Sequence, residues 1–407
     1  MDAETPCGPH VGARPRLLVA IYANPDYYPP TVNAVRMLSR TYQVRIVCRN
    51  MAPCFVKWPG AVVVERVGAY ASAADKEAMP GAAKLTEFLR FVRAVRRAIA
   101  QSAPSAIYAY DPHALVAVLA MGGRPDRAVV LFHTHEFQEA SGLPWASLGR
   151  FVTSAAMRLA SKADYLIVPE ARRAELAFSG TPSFKRVIIV PNFTSRQFFP
   201  PPDDWLELIN SRFMLRKAVL AGTVGPSNGQ LEATRALALV APLARLSIIG
   251  PARPGFTELL RTEVARLGLE ERAIISGWVP HSDLPEHLRD SAAGLVLYKP
   301  LNVNLEHMSS ATNKLFEYAA MGLPVVAPDL PGFREFFADD EWVVYADPAD
   351  PQSIACAIEY ILADRERYIA MSLAARHAHE TKYNYEHAFA PLLERIIAMT
   401  NGSGNIP

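Results

Sequence analysis

Residues 216–222 read RKAVLAG, the first of a series of short, continuous apolar runs. It continues with RLSIIG at 245–250, RAIISG at 272–277, AGLVLY at 293–298, PVVAP at 324–328 and WVVYA at 342–346. Continuous rather than alternating apolar character is what a strand covered on both faces requires. Helical candidates lie between the runs, near 229–240, 256–267, 282–291 and 310–321. Alternating strand and helix implies a parallel sheet wound from right-handed βαβ units. The same rhythm runs earlier in the chain, through RLLVAIYA (16–23), QVRIVCR (43–49), AVVVER (61–66), SAIYAY (105–110), AVVLFH (128–133), DYLIVP (164–169) and RVIIVP (186–191). Its helices fall near 31–40, 84–101, 112–121, 146–161 and 170–178. The two series part at RQFFPPPDDWLE, 196–207, where three prolines favour extended chain and remove backbone donors. The expected fold class is α/β, with two doubly wound, Rossmann-like parallel-sheet domains facing a cleft.

The boundaries that follow are a first domain at 14–195, a Pro-rich linker at 196–203 and a second domain at 204–378. A C-terminal helix within 379–400 is expected to cross back to the first domain, and 1–13 reads as a disordered tail. A length of 407 residues agrees with two domains, because single cores stop growing at roughly 250–300 residues. With 50% hydrophobic and 20% charged residues the chain is neither disordered nor fibrous. A net charge of +2 lacks the basic excess of a nucleic-acid binder. The 33 prolines outnumber 22 glycines without any short repeat, so they punctuate strand ends and loop starts. Cys7, Cys48, Cys54 and Cys356 form no C-x-x-C pair and suit neither a disulfide framework nor a zinc site. Free thiols, no apolar run approaching ~18 residues and no signal-like start lead to a cytoplasmic expectation.

The chemistry is expected around SSATNKLFEYAAMGLPVVAPDLPGFREF, 309–336. Ser309, Ser310 and Thr312 are N-cap types, Asn313 to Met321 is helix-prone, and Gly322 with Pro324 ends the helix. Such a helix start offers free N–H groups to an anion. Lys314 in its first turn opposes the helix dipole, which makes sense if a diphosphate sits there. Glu317, three residues on, can accept two ribose hydroxyl hydrogens. The bland alternative is a surface ion pair between Lys314 and Glu317.

Asn313-Lys314-Leu315-Phe316-Glu317-Tyr318-Ala319-Ala320-Met321-Gly322-Leu323-Pro324-Val325-Val326-Ala327 resembles the donor-site helix of GT-B glycosyltransferases, in the retaining group related to glycosyltransferase family 4 (group 1). Ile275-Ser276-Gly277-Trp278-Val279 and Gly294-Leu295-Val296-Leu297-Tyr298-Lys299-Pro300 match that family's layout in order and spacing. So do Leu131-Phe132-His133-Thr134-His135-Glu136, Ala163-Asp164-Tyr165-Leu166-Ile167-Val168 and Val190-Pro191-Asn192 in the first half. The resemblance implies a retaining, metal-independent transferase moving a sugar from a UDP- or GDP-linked donor. The acceptor would be a glycan, a lipid-linked or a small molecule, in polysaccharide or glycoconjugate biosynthesis. It implies catalytic roles for His135, Lys314 and Glu317. Donor contacts fall to Gly222, Thr223, Gly225, Tyr298, Ser309, Thr312 and Asn313, and acceptor contacts to His133, His135, Glu136 and Asp111. The family's two-glutamate motif has Ser309 in its first slot, and its two diphosphate cations are replaced by Thr223 and Asn228.

From the residues themselves, His133 and His135 lie two apart on a strand and share a face. A sugar contact, a metal site lacking a third ligand, and buried structural histidines all remain open, with Glu136 a candidate to orient His135. Asp111 and His113 end another strand and read first as a turn and helix cap. The Gly222/Gly225/Gly229 spacing alone fits a tight turn as well as a phosphate loop. The stretch at 86–100 sets Phe88, Val92, Val95 and Ile99 opposite Arg90, Arg93, Arg96 and Arg97. Such a face suits either solvent or peripheral contact with an anionic membrane. Two rivals to the transferase share the fold, a catalytically silent nucleotide-sugar-binding subunit and a sugar-nucleotide epimerase.

Overall fold

The computed structural model describes residues 14–120, 128–136, 142–144, 146–178 and 186–401. The expected tail at 1–13 lies outside them. The first sheet comprises β1 (Arg16–Ile21), β2 (Gln43–Met51), β3 (Val62–Ala71), β4 (Ala106–Tyr110), β5 (Val129–His133), β6 (Tyr165–Val168) and β7 (Val187–Ile189). The second comprises β8 (Lys217–Ala221), β9 (Arg245–Ile249), β10 (Ala273–Gly277), β11 (Ala293–Leu295), β12 (Val325–Pro328) and β13 (Val343–Ala346). Their orders are β3-β2-β1-β4-β5-β6-β7 and β10-β9-β8-β11-β12-β13. Every pairing is parallel. Both sheets reverse direction once, between β1 and β4 and between β8 and β11. Ligands of doubly wound sheets bind beyond the strand ends at such switch points.

The helices of the first half are α1 (Pro29–Leu38), α2 (Ala73–Ala78), α3 (Gly81–Ser102), α4 (Asp111–Leu119), α5 (Leu148–Leu159) and α6 (Ala171–Phe178). Those of the second half are α7 (Trp205–Leu215), α8 (Gln230–Leu239), α9 (Phe256–Arg266), α10 (Leu284–Leu288), α11 (Val303–Glu306), α12 (Asn313–Ala320), α13 (Pro331–Phe336), α14 (Pro351–Ala363), α15 (Arg365–Thr381) and α16 (Tyr385–Thr400). Each strand expected from its apolar run is present. α2, α11 and α13 are too short to show a helical period, and α7 was hidden by the prolines and aspartates just before it.

β1 shows why its run is continuous. Leu17, Val19 and Ile21 enter one core while Leu18 and Ala20 enter the other. α3, α4 and α5 cover the second of these, through residues such as Phe91, Val95, Leu115 and Val152. The first is covered by α1 and by α16, which brings Tyr385, Phe389, Leu392 and Ile396. The chain therefore crosses between the sheets twice, near 192–199 and again near 381–385. The two crossings are bound together: the Tyr385 N–H donates to the Thr194 carbonyl at 3.1 Å. Glu386 accepts from Ser195 Oγ at 2.6 Å and from the Arg196 N–H at 3.0 Å.

Phe389→Ala, at a fully buried position of α16, is expected to destabilise the first domain by about 3–5 kcal/mol. Urea unfolding measures this; a loss under about 1 kcal/mol would show that α16 adds little to that core.

Candidate active site

α12 carries the site because nearly all of it is buried. Leu315, Phe316, Tyr318, Ala319 and Ala320 are completely inaccessible. Phe316 packs edge-on against Phe193 of the first crossing, with ring centroids 4.4 Å apart. The Tyr318 hydroxyl accepts the Ala221 N–H at the end of β8, at 2.7 Å, so the helix is keyed directly to the switch-point strand. Two buried guanidiniums finish its carboxyl end: Arg212 donates to the Met321 carbonyl at 2.7 Å and Arg376 to the Ala320 carbonyl at 2.6 Å. These cations complement the negative end of the helix dipole.

With its apolar sides committed, α12 turns Asn313, Lys314 and Glu317 to a cleft of about 530 Å³ between the two sheets. Lys314 is 6% exposed, and its ammonium lies 4.6 Å from the centre of the Tyr298 ring. Burial pulls its pKa down to about 8, opposed by the charge of Glu317. Gly222, at φ +111°, lets the chain pass close to this lysine; a Cβ there would sit 3.3 Å from Nζ. Glu317 shares a 2.8 Å hydrogen bond with His281 Nε2. Its carboxylate stands where the cleft meets a second cavity of about 510 Å³. Beyond it the cleft is walled by Gly250, Pro251, Trp278, Val279 and Leu284. Tyr27 and Phe55 of the first domain meet Trp278 with ring centroids 6.4 and 5.9 Å away.

The opposite wall is built on β4 and β5. Asp111 takes the left-handed conformation, φ +64°, at a cost of roughly 1–3 kcal/mol. The strained residue accepts the His135 N–H at 3.0 Å and binds His135 Nδ1 at 2.9 Å. The other ring nitrogen, Nε2, lies in hydrogen-bond contact with the Thr31 hydroxyl at 3.0 Å. Tyr110 and His133 stack on the same imidazole at 4.9 and 5.1 Å, and Tyr28 lies tilted against it at 4.7 Å.

Two descriptions of known families match this chain: "Glycosyl transferase 4-like domain" over 31–192 and "Glycosyl transferase-like" over 231–394. Together they take in most of the sequence and both sheets. The chain belongs to the family-4 type of GT-B glycosyltransferases. A GDP-mannose-dependent alpha-(1-6)-phosphatidylinositol monomannoside mannosyltransferase of Mycolicibacterium smegmatis is 27% identical over 275 residues, 65% of this chain and 69% of that protein. Among solved structures, sucrose-phosphate synthase of Thermosynechococcus elongatus superposes with TM-score 0.70 at 17% identity, covering 95% of this chain and all of that one. The Anabaena HepE protein, solved in complex with UDP and glucose, gives 0.67 at 15%, covering 95% and 100%. At these identities the structures speak for the fold.

In this glycosyltransferase the cleft brings together most of the expected residues: Gly222, Thr223, Tyr298, Thr312, Asn313, Lys314, Glu317, His135 and Glu136 all line it. Others lie elsewhere. Gly225 packs on the Arg253 side chain and its N–H bonds Gln230, at 3.3 Å. Ser309 is buried beneath the cleft and is not part of its wall. Thr312 occupies the N-cap position without capping; its hydroxyl bonds the Tyr298 hydroxyl at 3.1 Å instead. Ser310 spends its hydroxyl on the Pro169 carbonyl at 2.7 Å. His133 shares the strand face of His135 but is fully buried behind it, bonded through Nδ1 to the Tyr108 hydroxyl at 2.9 Å. Burial holds it neutral, so it is no acceptor contact. Asp111 is neither a simple cap nor a cleft residue: it orients His135, the task proposed for Glu136. Both nitrogens of His135 are consequently occupied, so the ring forms a wall rather than a free base.

Residues that were not singled out from sequence also shape the site. His281 and Thr31 sit in segments without any telling pattern, and Asn192 was quoted only as part of a motif. Asn192 lines the cleft with its Nδ2 on the Ala311 carbonyl at 2.8 Å, while its buried Oδ1 has no partner among the described residues.

Proposed function

We propose that the enzyme takes a nucleotide sugar into this cleft and transfers the sugar to an acceptor hydroxyl with retention of configuration. The observation that carries the reading is the pair Lys314 and Glu317, set one turn apart at the open end of an otherwise buried helix. Glu317, held on one oxygen by His281, keeps acceptor capacity for the ribose hydroxyls. The apolar wall at Trp278, Val279 and Leu284 suits the base. The diphosphate then meets the first N–H groups of α12 and the Lys314 ammonium beside Gly222, which puts the sugar toward His135. As the glycosidic bond breaks, charge grows on the leaving diphosphate, and Lys314 with the helix end stabilises it more strongly than the ground state. In this reading protein groups, not a bound metal, meet that charge. The acceptor hydroxyl attacks from the face the diphosphate leaves. GDP-mannose in the name of one relative and UDP-glucose bound in one solved neighbour support a UDP- or GDP-linked sugar. A glycan, lipid-linked or small-molecule acceptor follows from the same comparison.

Among the described residues no helix is long and apolar enough to cross a membrane. A lipid-linked acceptor calls for peripheral contact, and α3 is the candidate surface. Its Arg97 is bound to Glu65 and its Arg96 to the Val118 carbonyl. Arg90 and Arg93 are exposed, with no ion-pair partner among the described residues, beside the exposed Leu85. This contact would place the enzyme on the inner face of a membrane.

Incubation with a panel of nucleotide sugars, read by mass spectrometry, should release nucleoside diphosphate from one of them. An altered sugar would point to an epimerase and binding without turnover to a silent subunit. Glu317→Ala should lower transfer by about a hundredfold or more with the fold intact; transfer at wild-type rate would end the donor-site assignment. Because Lys314 is a cation only below its pKa near 8, donor KM should rise by up to about tenfold per pH unit above 8. A Lys314→Gln enzyme should lack that rise. For the membrane contact, R90E/R93E should cosediment less with anionic vesicles while activity on a soluble acceptor stays unchanged. Equal cosedimentation of variant and parent would remove α3 from consideration.

A further inference from the structure

Loop 222–229, which closes the cleft beneath Lys314, contains no cation. A diphosphate held there by Lys314 and a helix end alone would be left under-neutralised. A second cation stands on the other wall. Arg173, on α6 of the first domain, is 3% exposed and lines the cleft. Its Nε donates to the His307 carbonyl at 2.7 Å, Nη2 to the Asn304 carbonyl and to Met308 Sδ (2.9 Å), and Nη1 to the His135 carbonyl at 3.4 Å. Every one of these acceptors is neutral, and no carboxylate lies within ion-pair distance among the described residues. A guanidinium has five N–H donors, so this arrangement aims the group without neutralising it. Glu136 and Glu170 act on the guanidinium only from beyond ion-pair distance, and a buried charge without a close partner is costly.

Both cations line the cleft that holds Tyr298. The ammonium of Lys314 sits over the Tyr298 ring, and Arg173 is close enough to that phenol to act on it electrostatically. Tyr298, Met308 and Thr312 thus line the same cleft as two positive groups, one from each domain.

We propose that Arg173 supplies the second phosphate-binding charge of the site, a first-domain guanidinium that contacts the diphosphate of a donor seated on the second domain. The inference rests on the donor reading above. It adds that donor binding spans the two domains: contacts of Arg173 to the 304–308 segment pre-set the guanidinium, and the diphosphate completes its coordination. A planar, multiply bonded guanidinium is not replaced by a lysine at such a position.

Titration calorimetry on the full-length protein separates the possibilities, using UDP and GDP, the matching nucleosides, and inorganic phosphate as probes. Arg173→Met should weaken nucleoside diphosphate binding by about thirtyfold and Arg173→Lys by about tenfold. Nucleoside binding should stay within about twofold of the parent in both. Parallel loss of nucleoside and diphosphate would make Arg173 an interdomain latch and overturn the proposal. So would diphosphate binding within about threefold of the parent, including a case where only an inorganic phosphate site is lost, which would assign the residue to a phosphorylated acceptor. If Arg173→Met does not fold, Arg173→Lys carries the same comparison. Parent protein that binds neither diphosphate sinks the donor reading and this inference together, whereas normal binding by the variants sinks this inference alone.

Discussion

One short helix, α12, sets the terms for the rest of the molecule. It is buried on almost every side, so each polar group on it must find a partner or cost free energy. Its carboxyl end solves this with Arg212 and Arg376, drawn from α7 and α15. Its middle solves it with the Tyr318 hydroxyl on the last residue of β8. Only the amino end is left open, and there the chain places a lysine against the dipole and lowers its pKa by burial. That arrangement is energetically poor for an empty protein and is offset once an anion sits at the helix start.

The facing domain uses strain in place of burial. Asp111 adopts a left-handed backbone that brings its carboxylate to both the N–H and the imidazole of His135. Thr31 takes the remaining nitrogen. A ring fixed at both nitrogens and enclosed by Tyr28, Tyr110 and His133 has little freedom to turn. This rigidity keeps the wall opposite Lys314 in one shape while the crossings near 192–199 and 381–385 join the domains.

Helical spacing sets Glu317 and Lys314 on one face, and the family resemblance, not the spacing, singled the pair out. The strands at the centres of the two sheets were legible because they are buried on both faces and so apolar throughout. The errors have a common origin. Period-two alternation tells which face of a strand His133 shares with His135, but not that one ring lies behind the other. Residue type marks Thr312 and Ser310 as caps, yet their hydroxyls found other partners, the Tyr298 hydroxyl and the Pro169 carbonyl, brought near by the fold. Arg173 and His281 gave no signal, since their meaning depends on segments more than thirty residues away.

The sequence by itself determined two parallel sheets, the joint between them and the helix at 313–320, because local spacing and apolar continuity are properties of neighbouring residues. Tertiary structure alone decided which charges are buried, which hydroxyls are spent, and which first-domain groups face α12. Those outcomes depend on distances across the cleft between residues far apart in the chain, and on how far each charge is removed from water.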